Sequence, residues 1–370
     1  MSPEIHVREG DIIVTKDGTI GKTAHVARLP YLATLNSHLL LVRALRGQYR
    51  PRFLYYLFDS AVFQTYARFA EGGTTFFGIT QEAVSNFPIT LPPLAEQEAI
   101  AAFLDRETAR IDALVGKKER LIELLQEKRT SLVTRTVTKG LAPNVPMKDS
   151  GIEWLGEIPA HWDSLALSRI TLSRCDGPFG SGLKTEHYSG SGVRVVRLQN
   201  IGWTEFLDED RAFIDQEYAS QLGDHSVMTG DVLIAGLGDE RHPVGRACVA
   251  PDGIEPAMVK ADCFRFRLEG KRVLPRFAAY QLSATATAAA GSLATGATRA
   301  RTNLTVTASR NIALPPLKEQ QVIVEALDRE RERYLALISR IYTATECLKE
   351  LRTALISAAV TGKIDVREAA

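Results

Sequence analysis

The stretch LPPLAEQ at Leu91–Gln97 returns as LPPLKEQ at Leu314–Gln320, with six of seven letters alike at an offset of 314 − 91 = 223. The agreement continues without a gap. LDRE at 104–107 falls on LDRE at 327–330, Arg129-Thr130 on Arg352-Thr353, and Val137-Thr138 on Val360-Thr361. A repeat of this kind restricts the chain to two similar units, each ending in the same element. Both copies follow a Pro-Pro pair, which suits the entry to a helix and not its interior. Glu96 and Glu319 then place a carboxylate where the helix dipole favours one. A long proline-free run follows in each copy.

Within those runs apolar residues recur at alternating steps of four and three. The first reads Ile100, Leu104, Ile111, Leu114, Leu121, Leu125, Leu132. The second reads Ile323, Leu327, Tyr334, Leu337, Ile341, Leu348, Leu351, Leu355. Glu107, Lys118, Lys128 and Glu330 interrupt the seam, and Gly116 weakens the first helix without ending it. The spacing predicts two long helices that pair as a coiled coil. Two amphipathic helices packed on separate domains are the plainer alternative. At 1.5 Å per residue each helix spans roughly 60 Å and needs a partner along its length.

The remaining blocks are richer in Gly, Val, Thr and aromatics, and they repeat too. GDIIVTKDGTIGKTAHV (Gly10–Val26) reads strand, turn, strand, with Asp17-Gly18 as the turn signal. GDVLIAGLGDERHPVGRACVA (Gly230–Ala250) answers it, and PRFLYYL (Pro51–Leu57) is answered by PRFAAYQL (Pro275–Leu282). The expected class is α+β: two β-rich globular domains separated by two long helices. The expected division is a partial first domain at 1–90, a helix at 91–141, a linker at 142–150, a second domain at 151–313 and a helix at 314–363. The second domain has a stretch, 152 to about 220, with no mate in the first.

Catalytic motifs are missing. GKT at 21–23 lacks the glycine of a phosphate-binding loop, since Lys16 stands there. PDGIEPAMVK (Pro251–Lys260) has no Glu-x-Lys after its Asp, and Asp252-Gly253 reads as a turn. No Asn/Asp-Pro-Pro-aromatic stretch of an amino-methyltransferase occurs. The seven histidines show no metal-ligand spacing, and His161 beside Trp162 reads as a packing residue. No metal site and no catalytic residue are expected. Cys175, Cys248, Cys263 and Cys347 are scattered, which points to a reducing compartment. The N-terminus carries no signal-peptide pattern and the chain no apolar run of membrane length. A cytoplasmic protein is expected.

Several stretches suit DNA, although a net charge of +1 leaves only local patches to touch it. GATRARTNLTVTASRN (Gly296–Asn311) carries Arg299, Arg301 and Arg310, with Asn303, among small residues and has no acidic residue. A solvated loop is the bland alternative. DGPFGSGLK (Asp176–Lys184) is a Gly-rich loop whose backbone N–H groups and Lys184 could cradle a phosphate, or it is a plain loop. VRVVRLQNIG (Val193–Gly202) alternates like a strand, with Arg194, Arg197, Gln199 and Asn200 as base-reading types. Arg241 and Arg246 join this set, and Lys16, Lys22, Thr74 and Thr75 are the candidates in the short copy.

Taken together, the paired LPPLxEQ…LDRE segments, KDSGIEWLGEIPAHW (Lys148–Trp162), DGPFGSGLK, VRVVRLQNIG and GDVLIAGLG resemble the specificity subunit of type I restriction-modification systems over nearly the whole chain. The resemblance implies two target-recognition domains held by an antiparallel pair of long helices. Each domain would read one half of a bipartite site in double-stranded DNA. Two methyltransferase (modification) subunits would dock on the helices, and restriction (motor) subunits would join for cleavage. S-adenosylmethionine, ATP and Mg²⁺ would sit on those partners, with no cofactor on this chain. The first domain departs from the pattern: it has no counterpart of GIEWLGEIPAHW or of the Gly-rich loop. Two other classes stay open, a coiled-coil scaffold that touches protein only and an enzyme in its own right.

Overall fold

The computed structural model describes residues 6–70, 78–179, 182–239, 242–293 and 300–366. Two compact units make up the chain. One combines Met1–Glu123 with Leu337–Ala370, and the other is Leu124–Ala336. The long helices run over Leu94–Lys139 and Leu317–Val360. Both begin just after the Pro-Pro pair. Gly140, at φ +76°, and Gly362, at φ +71°, follow their ends, as left-handed closing residues do. Among the described residues no helix is long and apolar enough to cross a membrane.

In the first unit, strand Ile12–Thr15 lies between Thr23–His25 and Leu39–Val42, antiparallel to both. The expected strand–turn–strand is therefore present, with Gly18 at φ +67° in the connecting loop. Helices Pro51–Asp59 and Ala61–Phe69 cover one face of this sheet. Ile12, Val14, Phe53, Tyr56 and Phe63 pack with Ile100 and Leu104 from the start of the first long helix. Ile356, Ala359 and Val360 from the end of the second long helix complete that core, so the helices run antiparallel here.

The second unit contains the same motif and more. Strands Ala247–Val249, Val232–Ala235 and Cys263–Leu268 correspond to the three strands above, and Thr171–Cys175 adds a fourth at the edge. A mixed five-stranded sheet follows the order Ser226–Val227, Ala257–Val259, Val193–Val196, Phe213–Ile214, Tyr188–Ser189. Most of it comes from the stretch without a mate. Here Val133 and Val137 at the end of the first long helix pack with Ile323 and Leu327 at the start of the second, around Trp162 and Phe277.

The repeated letters are the anchors of each unit. Gln97 is buried: its Oε1 accepts the Arg50 N–H at 2.8 Å, and its Nε2 donates to the carbonyls of Gln48 and Pro92, each at 2.9 Å. Gln320 does the same with the Leu274 N–H at 2.8 Å and the carbonyls of Arg272 at 2.9 Å and Pro315 at 2.8 Å. Arg50 and Leu274 each begin the helix that opens with Pro-Arg-Phe. The glutamine thus ties the entry of the long helix to the entry of a domain helix. Two turns further, Asp105 takes Arg52 at 2.6 Å and the Tyr56 hydroxyl at 2.7 Å. Asp328 takes Arg276 at 3.0 Å and the Tyr280 hydroxyl. Burial and the bond to Asp105 push the Tyr56 hydroxyl up to about 12. The Gly-Asp pair is a third anchor. Asp11 accepts both Arg43 and the Arg8 N–H, and Asp231 accepts both Arg267 and the Met228 N–H.

The helix seam differs from the expected one at five of its fifteen apolar places. Leu104, Ile111 and Leu125, with Leu327, Tyr334, Ile341, Leu348 and Leu355, are buried or partly so. Ile100 and Ile323 are buried against their domains. Leu114, Leu121, Leu132, Leu337 and Leu351 are exposed by 38 to 53%. The inward positions lie one residue later in both helices: Ala101, Thr108, Val115, Ile122 and Arg129, and Val324, Arg331, Ile338, Thr345 and Arg352. The physical reason is that polar residues on this seam satisfy themselves. Thr108 and Thr345 donate to the carbonyls of Leu104 and Ile341 one turn back. In the second unit Arg129 pairs with Glu205 at 2.8 Å and lies over the rings of Trp203 and Tyr334. In the first, Arg352 bonds Asp59 and Asp112.

Candidate nucleic-acid interface

The five-stranded sheet decides which of the expected DNA ligands can reach DNA. Val193–Val196 runs through its middle, parallel to Ala257–Val259 and antiparallel to Phe213–Ile214, and all four residues are buried. A strand covered on both faces hides every side chain, whatever its alternation suggests. Arg194 is accordingly internal. It bonds Asp208 and the Asp210 carbonyl, both at 2.9 Å, and lies over Phe213. Arg197 pairs with Asp210 and is partly covered. Asn200 is fully buried, donating to the carbonyls of Leu207 and Asp210 and accepting the Arg197 N–H. The expectation that Arg194 and Asn200 face DNA is corrected: a buried guanidinium or amide needs every bond it makes here.

Arg310 is corrected for the same reason, being buried with its guanidinium donating to the carbonyls of Gly245 and Leu282, and so is Arg246. It is buried, and its guanidinium donates to the carbonyls of Ile201 at 2.7 Å, Leu237 at 3.0 Å and Leu198 at 3.1 Å. Burial holds its pKa below the usual arginine value. Its task is to pin the turn Leu198–Ile201 against Leu237. Lys22 occupies the matching place in the first unit and is exposed, and Lys16 there is partly covered. Thr74, Thr75, Arg241 and Arg299 lie outside the described residues.

The Gly-rich loop starts inside the fold. A Cβ on Gly177 would stand 2.1 Å from the Lys260 backbone, so only glycine fits this close approach. Asp176 accepts the N–H groups of Gly177 at 2.7 Å and Asp262 at 3.0 Å. Burial, helped by the Asp262 charge, nevertheless raises its carboxyl to about 6. Lys184, further along, is exposed, with Glu186 at 3.8 Å.

Two of the expected residues, Gln199 and Arg301, lie beside Leu237 in the second unit. Residues 300–302 run beside 236–238: the Gly238 N–H donates to the Ala300 carbonyl at 2.9 Å and the Thr302 N–H to the Gly236 carbonyl at 2.9 Å. This sets Arg301 next to Leu237, its guanidinium half exposed on Asp262 at 2.9 Å. Asn303 is exposed and caps the short helix Leu304–Ser309 through the Val306 N–H. Next to Leu237 a groove of about 520 Å³ is lined by Gln199, Gly238, Asp239 and His242. His242 bonds Asp239 and is well exposed; sequence reasoning passed over it because a lone histidine has no motif to mark it. An exposed amide, imidazole and guanidinium around a groove form a donor and acceptor set suited to base edges.

The sequence model for the type I restriction modification DNA specificity domain matches residues 2–124 and 225–343. Those stretches start 225 − 2 = 223 residues apart, the offset of the repeat. The chain belongs to this family. DNA specificity is thus its role at the level the family defines. The MjaVIII specificity subunit of Methanocaldococcus jannaschii is 24% identical over 98% of this chain and 81% of its own length. The EcoBI specificity subunit of Escherichia coli is 22% identical over 96% of this chain and 73% of its own. The solved HsdS subunit of Thermoanaerobacter tengcongensis shares the fold, with a TM-score of 0.54 at 20% identity, covering 97% of this chain and 82% of that one. A chain from a structure on type I R-M assembly and conformational transition aligns with a TM-score of 0.74 at 19% identity, covering 97% and 83%.

Proposed function

We propose that this specificity subunit reads DNA through the end of its second unit where Gln199, His242, Arg301 and Asn303 gather. The observation that carries the reading is that Gln199 and His242 line one groove with Arg301 beside its Leu237 wall, in a family defined by DNA specificity. Arg301 exchanges Asp262 for a phosphate or a guanine edge on binding. The two long helices set the distance between half-sites and dock two modification subunits, and restriction subunits join that complex. S-adenosylmethionine, ATP and Mg²⁺ belong to those partners, and this chain performs no catalysis. The first unit contributes little sequence reading by itself, because it has no counterpart of the stretch that carries Gln199.

The test is to map methylated sites in cells that express the chain with a modification subunit, beside DNA binding of Gln199→Ala and Arg301→Ala at two salt concentrations. Loss of a base-reading contact costs about 1–3 kcal/mol and relaxes one position of the site. Loss of a phosphate contact weakens all sequences alike and flattens the salt slope. No DNA affinity with the modification subunit present would leave a protein-binding scaffold instead.

A further inference from the structure

Two cations stand beside the groove of the second unit without lining it. Strands Val193–Val196 and Ala257–Val259 run parallel, so their carboxyl ends meet on one side of the sheet. Arg197 follows the first strand and Lys260 the second, and the Lys260 N–H donates to the Val196 carbonyl at 2.9 Å. Two residues on, the first segment reaches Gln199 in the groove, and the second reaches Asp262, which holds Arg301 at 2.9 Å. Two residues of chain span at most about 7 Å, so Lys260 stands close to the Arg301 contact and Arg197 close to Gln199.

The two cations are not equivalent. Arg197 pairs with Asp210, so its charge is balanced within the protein. Lys260 is partly exposed, and among the described residues its ammonium forms no ion pair. Its Nζ donates to the Tyr188 hydroxyl at 3.1 Å and lies 5.6 Å from the centre of that ring. An ammonium carries three donors, and the phenol takes one of them. The ring and its hydroxyl hold the charge in place without cancelling it. The Gly-rich loop passes over the backbone of Lys260 at Gly177, where a Cβ would stand 2.1 Å away. The lysine thus sits where the loop and the sheet end meet, close to the groove. The fold does not demand a cation here. In the first unit the Lys16 N–H donates to the His38 carbonyl at 2.8 Å, as the Gly236 N–H does to the Asp262 carbonyl at 2.7 Å. Two residues before that carbonyl the first unit carries the neutral Asn36 and the second carries Lys260.

We propose that Lys260, held by Tyr188, is a phosphate contact for duplex DNA that fixes how the neighbouring groove sits on the bases. Its ammonium takes one backbone phosphate oxygen while the groove meets base edges. Such a contact adds affinity without sequence preference and sets the register of the duplex. The inference rests on the DNA-reading proposal for the same end of the second unit, and adds to it the group that positions the duplex. Asn36 brings no charge to the matched place, so the first unit lacks this contact.

The experiment uses the full chain with a modification subunit and two fluorescein-labelled duplexes, one of random sequence and one carrying the site mapped by methylation. Lys260→Ala is expected to weaken both by the same factor, about five- to tenfold. It should also lower the slope of log affinity against log salt by about 0.9, the share of one phosphate. Lys260→Arg keeps both values, and Lys260→Gln behaves as the alanine variant. Tyr188→Phe keeps the charge and the slope, and costs about two- to threefold. Methylphosphonates placed at one phosphate at a time find the partner. One position weakens the wild type about as much as Lys260→Ala does and has no further effect on that variant. Tryptophan fluorescence checks folding; should Lys260→Ala unfold, Lys260→Gln, which keeps most of the stem, decides. An unchanged slope, a loss on the mapped site alone, or losses that multiply at every phosphate overturn the proposal. A wild type that binds neither duplex overturns the groove reading with it. If Gln199→Ala and Arg301→Ala bind as the wild type does while Lys260→Ala is weakened, the phosphate contact stands and the groove reading falls. The reverse pattern overturns the role of Lys260 alone.

Discussion

Gln320→Ala tests the anchor that the repeat writes twice. The side chain is fully buried and makes three hydrogen bonds, one accepted and two donated. Each is worth about 1 kcal/mol net, and the three backbone groups left behind lose their partner, so the second unit should lose about 3–4 kcal/mol. The three tryptophans, Trp154, Trp162 and Trp203, all belong to that unit, so their fluorescence reports it alone. With a urea dependence of about 2–3 kcal/mol per M, the midpoint should fall by roughly 1–2 M. Gln97→Ala should leave the tryptophan transition in place and lower the helical signal of the first unit. Gln320→Glu separates bonding from shape. A glutamate still accepts the Leu274 N–H, yet its carboxylate faces the carbonyls of Arg272 and Pro315. Its folded pKa is then raised above the unfolded value of about 4.3. The penalty is absent below that value and grows as pH rises toward the folded pKa. A shift under about 0.3 M for Gln320→Ala, near 1 kcal/mol or less, would refute the anchor. An equal shift of the tryptophan transition by Gln97→Ala would refute its confinement to one unit.

Three further outcomes follow from the geometry. Ile122→Ala should cost about 1–2 kcal/mol and Leu121→Ala under about 0.5, measured by thermal melting; the reverse order would restore the seam one residue earlier. Asp176→Asn should stabilise the second unit at pH 7 by about 1 kcal/mol, a figure reduced for partial solvent screening. The wild-type carboxyl is raised to about 6, so the native state resists an ionisation whose midpoint in the unfolded chain lies near pH 4. The gain must vanish below about pH 4, and a gain that persists there would exclude ionisation as its cause. Arg246→Ala should cost about 2–4 kcal/mol by leaving three carbonyls without their donor, whereas Lys22→Ala should be neutral within about 0.5. A neutral Arg246→Ala would return that arginine to the DNA surface.

The long helices, the hairpin and the doubled plan were legible because they depend on period, on proline placement and on glycine at turns, all of which are local. The seam was read one residue early because hydrophobicity counts Leu114 and Leu121 and discounts Thr108 and Arg129. A threonine that bonds its own helix, or an arginine that meets a glutamate and two rings, can turn inward at little cost. Arg194, Asn200 and Arg246 carry base-reading side chains, but most of the groups that bind them lie 7 to 48 residues away in sequence, where no local pattern reaches. The same distance hid the purpose of Gln97 and Gln320, which was visible only as identity between copies. That identity separates two kinds of position. Residues alike in both copies, such as Gln97 and Gln320 or Asp105 and Asp328, fasten a helix to its unit and have no reason to differ. Residues that differ at matched places, Lys22 against Arg246 and Leu40 against Phe264, mark surfaces where the units meet different neighbours. Comparing such mismatched pairs within one chain therefore separates its anchors from its variable surfaces.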